Sequence, residues 1–247
     1  MKKVYILLVV LSLFLVSGCA TYKAKYSEDY SGIDRSSSSK EIEKTFYLIG
    51  DAGNATVSSG SPALNALKGM IKDKKTLGDY LIFLGDNIYE KGYSKENAAA
   101  ETKAKDLIDE QINVAKSFDG KTIFIPGNHD WYSGLSGLKD QEKYVEKALG
   151  KNSFQPEKGC PIKKIDVTNS IVLLILDTQW YLSKWDDHPT MNDNCQIKTR
   201  DEFIDELEDE LKKNNEKTIL LAMHHPAYTY GPHGGSFSAD KHLFPFQ

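Results

Sequence analysis

The chain has 247 residues, a mass of 27.7 kDa and 40% hydrophobic residues, which is the composition of one main globular domain and excludes a disordered chain. Its formal net charge of −4 gives no electrostatic ground for binding nucleic acid, and none is expected as a partner.

Lys2 and Lys3 precede the apolar run "VYILLVVLSLFLV", too short to span a bilayer comfortably, and "SGC" follows. Residues 1–18 therefore read as a secretion signal rather than a core helix. The stretch "VSGC" resembles the bacterial lipoprotein box, which makes Cys19 the expected lipid attachment point, against the plainer alternative of a buried structural cysteine. Removal of the signal takes two lysines with it and leaves a charge of −6, so the lipid rather than basic charge would hold the protein to a membrane. The expected location is the bacterial cell envelope, lipid-anchored on a periplasmic or surface face, with the outer membrane as the membrane of choice. Residues 19–44 mix Ser, Gly and charge without apolar periodicity and read as a flexible tether.

The domain is expected over 45–247. Short apolar runs of strand length, "TFYLIG", "DYLIFLG", "KTIFIPG", "SIVLLILD" and "KTILLAMH", alternate with helical patterns. Their continuous hydrophobicity predicts strands buried on both faces and an α/β fold. Ser61 and Pro62 open a helix with Leu64, Leu67 and Ile71 on one face, and Thr199 with Glu202 forms a capping box before Phe203, Leu207 and Leu211. Weaker helical patterns cover 94–117 and 139–149, the latter stopped by Gly150. These stripes read as core faces rather than sites. Cys160 and Cys195 lack metal-ligand spacing; in an oxidising compartment a bridge and two buried thiols both stay open.

Four of the five runs lead straight into polar clusters: "GDAGN" at 50–54, "GDNIY" at 85–89, "GNHD" at 127–130 and "HHP" at 224–226. Ligands of α/β sheets sit outside the carboxyl ends of strands, so clusters distant in sequence are predicted to converge on one edge. Asp51, Asp86, Tyr89, Asn128 and His224 would offer mainly hard oxygen donors with one imidazole, a set that suits Fe, Mn or Zn. Glycines in the same clusters let the backbone turn sharply and approach an ion or phosphate closely.

"GDAG", "GDNIY", "GNHD" and "LAMH" resemble, in order, the first four of the five motifs of the purple acid phosphatases within the calcineurin-like metallophosphoesterases, across about residues 45–235. The resemblance implies the N-terminal portion of a four-layer α/β/β/α sandwich and two metal ions, Fe with Fe, Zn or Mn. Asp51 and Tyr89 would serve an iron site, Asp86 would bridge the metals, and Asn128 and His224 would serve the second metal. His129 would contact the phosphoryl group of a small phosphorylated substrate, with Asp130 orienting its ring. His233, nine residues after His224, would stand near the leaving group as a proton donor. His225 reads as a packing or supporting residue. The implied reaction is hydrolysis of phosphate monoesters by a hydroxide generated between two cations roughly 3.5 to 4 Å apart.

Two departures matter. Leu221 stands where the family motif has Val, and the fifth motif, GHxH, is absent; "GPHGG" has one histidine and follows His224 too closely to replace it. The expectation is therefore of a truncated domain, forming mainly the first sheet and its helices, with weak metal retention, low activity and uncovered apolar surface. A calcineurin-like phosphodiesterase or nucleotidase, and a noncatalytic surface lipoprotein that keeps the fold as a binding module, are the alternatives.

Overall fold

A computed structural model describes residues 41–72, 77–183 and 193–226, and all its elements lie in the compact unit Glu43–Gln247. Strand β1 (Phe46–Ile49) is followed by helix α1 (Pro62–Ile71), β2 (Tyr80–Phe83), α2 (Ala98–Ala115) and β3 (Lys121–Phe124). The three strands pair in parallel in the order β1-β2-β3, as two successive strand-helix-strand crossovers require. Ser61 caps α1 by accepting from Leu64 N at 3.3 Å, and Leu64, Leu67 and Ile71 are buried, as their spacing predicts. A short helix α3 (Asn128–Trp131) and the longer α4 (Gly134–Leu149) follow, α4 starting one turn before the sequence pattern becomes visible.

A second sheet follows: β4 (Ile162–Asp166), β5 (Ile171–Leu176), the helices α5 (Thr178–Leu182) and α6 (Arg200–Lys213), and β6 (Thr218–Met223). Its order is β4-β5-β6, with β4 antiparallel and β6 parallel to β5. Thr199 and Glu202 form the predicted capping box of α6. The expectation of mainly one sheet is thus corrected: three strands of a second one are present. Strand β4, "IKKID", escapes sequence reading because its two lysines interrupt the apolar run.

Tyr80, Ile82, Ile123 and Ile125 of the first sheet share one buried cluster with Leu173, Ile175 and Ala222 of the second, so the sheets face each other. The opposite face of the first sheet, Leu81, Phe83 and Phe124, packs with residues of α1, α2 and α4 in the larger cluster. Burial on both faces holds for the central β2, whose four residues are all buried, and for most of β5. It fails at β1 and β6, which end their sheets and leave Leu48 57% and Leu221 45% exposed. Cys160 and Cys195 are joined in a disulfide, which decides the open alternative. Among the described residues no helix is long and apolar enough to cross a membrane.

Candidate metal centre

The register of the first sheet places Ile49, Phe83 and Phe124 side by side, so the chain leaves β1, β2 and β3 along one edge. Asp51 and Asp86 follow at once, both with positive φ (55° and 53°), a conformation that turns each carboxylate sharply out of its strand line. Two glycines let these loops touch. A Cβ on Gly53 would lie 2.2 Å from the Asn87 carbonyl carbon, and one on Gly127 would lie 2.3 Å from Asp86 Oδ1.

Asp86 is 3% exposed and stands at the centre. Its Oδ1 accepts from His129 N at 2.9 Å, and its Oδ2 accepts from the Tyr89 hydroxyl at 2.8 Å. The same hydroxyl lies 2.9 Å from Asp51 Oδ1, so the phenol sits between two carboxylates. Burial, and then the hydrogen bonds to Asp86 and Asp51, hold the Tyr89 phenol well above its ordinary pKa.

His224 joins from the end of β6. Its Nδ1 faces the Leu84 carbonyl oxygen at 2.9 Å, and since a carbonyl can only accept, Nδ1 carries the proton. Nε2 then faces Asn128 Oδ1 at 3.2 Å and Asp86 Oδ1 at 3.5 Å. The Asn128 side chain is anchored on its other side, where Nδ2 donates to the Tyr132 hydroxyl at 2.7 Å. Atoms of His224, Asn128 and Asp86 able to ligate a metal thus converge on one point, an arrangement that a cation would satisfy. Ligand atoms of Asp51, Asp86 and His224 lie within 4.8 Å of one another, so the residues fit a metal centre.

The His129 ring lies on the accessible side, tilted against Tyr89 and Tyr132 at 4.3 and 4.7 Å. Its Nδ1 is held by the Glu90 carbonyl oxygen at 2.5 Å, which corrects the expectation that Asp130 orients it. The Asp130 carboxylate points into the core instead, accepting from Asn87 N, Asn87 Nδ2, Gly127 N and Gln141 Nε2 at 2.8 to 3.3 Å. Burial raises its pKa to about 6, with those hydrogen bonds opposing the rise. His225 has its Nδ1 2.7 Å from Thr178 Oγ1, and its ring meets that of His224 edge-on at 4.9 Å. Cys19 and His233 lie outside the described residues.

Sequence reading passed over Asn87, Tyr132, Gln141 and Asp177. Asp177 had a usable signal, since it ends the run "SIVLLILD" as the other clusters end theirs. Fully buried, it caps α5 through Trp180 N at 2.9 Å and accepts from Trp131 Nε1 at 2.8 Å, tying the second sheet to the segment after "GNHD".

Compared with protein families, residues 44–247 match the model of the calcineurin-like phosphoesterases. No curated protein matches the chain.

Proposed function

The chain belongs to the calcineurin-like phosphoesterase family of metal-dependent hydrolases, and on that premise we propose that it is a phosphatase of the purple acid type, hydrolysing phosphate monoesters. The observation that carries this reading is the Tyr89 hydroxyl held between Asp51 and Asp86 at 2.9 and 2.8 Å, where a phenolate would be a metal ligand.

Asp51 and Tyr89 would hold one metal, Asn128 and His224 the other, and Asp86 both, within the framework of a four-layer sandwich. Bound there, iron paired with Fe, Zn or Mn would neutralise phosphoryl oxygens and lower the pKa of a water from about 15.7 toward about 7. The chain's own residues prepare that chemistry. Tyr89 must give up the proton it now shares with the two carboxylates, so loading couples to proton release. Asp86, held by His129 N, turns Oδ1 toward His224 and Oδ2 toward Tyr89. The His129 Nδ1 proton is committed to the Glu90 carbonyl, which fixes the ring, and Nε2 would donate to a phosphoryl oxygen when the ring carries its second proton. His233 is kept as the proton donor to the leaving alkoxide on the strength of its spacing from His224.

The lipid anchor on Cys19 and the envelope location belong to the same proposal, supported by the apolar leader and by the Cys160–Cys195 bridge, which suits an oxidising compartment. Iron-loaded protein should show a visible tyrosinate absorption that Tyr89→Phe abolishes, and should hydrolyse an aryl phosphate with loss on Asp86→Ala. Colourless, iron-loaded protein that cleaves a bis-aryl phosphate and leaves the monoester untouched would replace this reading with the phosphodiesterase one.

A further inference from the structure

The cluster "GNHD" runs on into two aromatic residues, Trp131 and Tyr132, which end helix α3 in opposite directions. Trp131 is buried against Asp177, whereas Tyr132 is 57% exposed and is, among the described residues, the one aromatic side chain left mostly open. A single exposed ring ordinarily needs no explanation. This one stands on the rim of the metal centre and is held in place. Its backbone N–H donates to the His129 carbonyl oxygen at 3.1 Å, its hydroxyl accepts from Asn128 Nδ2 at 2.7 Å, and its ring leans on the His129 imidazole at 4.7 Å, tilted by 50°.

The centre opens on the same side. The side chains of Asp86 and His224 are 5% and 10% exposed, that of His129 is 25% exposed, and Asp51 is exposed beside it. A phosphoryl group seated on the centre must therefore send its ester substituent out past His129, and the next ring along that path is Tyr132. Because the ring is already fixed at three points, a ligand that settles on it orders no side chain. Its hydroxyl is tied to Asn128, so what it offers is an aromatic face, which suits another ring, offset or edge-on, with centroids about 4.5 to 7 Å apart.

We infer that Tyr132 determines specificity as a platform for the leaving group, and that the substrates of this centre are phosphate monoesters of aromatic alcohols. The inference rests on the monoesterase reading above and adds the substrate class to it.

Calorimetric titration of the Zn-loaded chain with phenylphosphonate and methylphosphonate tests it without turnover, since neither compound carries an ester bond. At saturating Zn, phenylphosphonate is expected to bind about tenfold tighter. Tyr132→Phe and Tyr132→Ala both remove the hydroxyl that anchors Asn128 and differ only in the ring. The first should keep the preference and the second should reduce it to about twofold or less, while methylphosphonate binds the two variants alike. Equal affinity of the native chain for both phosphonates, or an undiminished preference in Tyr132→Ala, would overturn the inference and leave the monoesterase reading standing. Binding of neither phosphonate would sink the reading of the centre itself, and the inference with it.

Discussion

Asp130 and Asn87 are 43 residues apart in the chain and meet through both the backbone and the side chain of Asn87, at 3.1 to 3.3 Å. This clamp joins the loop after β2 to the loop after β3, and Gly127 N at 2.8 Å and Gln141 Nε2 at 2.9 Å complete it. The two loops that carry Asp86, Tyr89, Asn128 and His129 are thereby fixed from below by one buried carboxylate. Asp130→Ala would strand buried donors on three residues and should cost at least about 3 kcal/mol in chemical denaturation. Asp130→Asn keeps the shape but sets an amide hydrogen against one of those donors, and should fall between.

The contact of Gly53 with Asn87 makes a different demand. A methyl group 2.2 Å from a backbone carbon cannot be accommodated without moving the loop, so Gly53→Ala should draw Asp51 away from Asp86. Metal titration is expected to show loss of the site proposed for Asp51 and Tyr89, with a smaller drop in melting temperature than Asp130→Ala produces.

The Tyr132 hydroxyl anchors the Asn128 side chain, a proposed metal ligand, through Nδ2 at 2.7 Å. Tyr132→Phe keeps the ring against His129 but removes the hydrogen bond that anchors Asn128, so metal affinity should fall about tenfold or more. Titration of metal-free protein with Zn measures this directly, and an unchanged affinity would show that Asn128 is held in place by other contacts.

Asp177 gives a pH signature. Burial raises its pKa from the ordinary 3.8 to about 7, against the opposing hydrogen bonds from Trp180 N and Trp131. Between those values the folded chain holds a proton that the unfolded chain has released, so stability falls as pH rises through this window and is level with respect to this group on either side. Asp177→Asn retains an acceptor for Trp180 N or Trp131 and cannot ionise. Its denaturation midpoint, followed from about pH 4 to about pH 8, should decline less steeply than that of the native chain.

The Cys160–Cys195 bridge closes a loop of 35 residues and fastens the start of β4 to the segment before α6. A loop of that length is worth about 3 to 4 kcal/mol in the chain-entropy account. Reductant should lower the melting temperature accordingly and expose two titratable thiols in a Cys19→Ser chain.

The strand runs, the capped helices α1 and α6 and the order of the polar clusters were legible in the sequence, because each depends on local periodicity, capping chemistry or residue type within a few positions. The same patterns pointed to the convergence of Asp51, Asp86 and Asn128, since parallel strands deliver their carboxyl ends to one edge, whereas His224 arrives from β6 of the second sheet, which only the facing of the two sheets brings there. What the sequence left undecided depends on contacts between residues far apart. The cysteine pairing, the antiparallel β4, the commitment of Asp130 to Asn87 rather than to His129, and the tautomer of His224 set by Leu84 each join segments brought together by packing. Residue types alone give Asp130 no partners. Only the folded sheets decide which donors its carboxylate meets, because burial removes the water that would otherwise satisfy it.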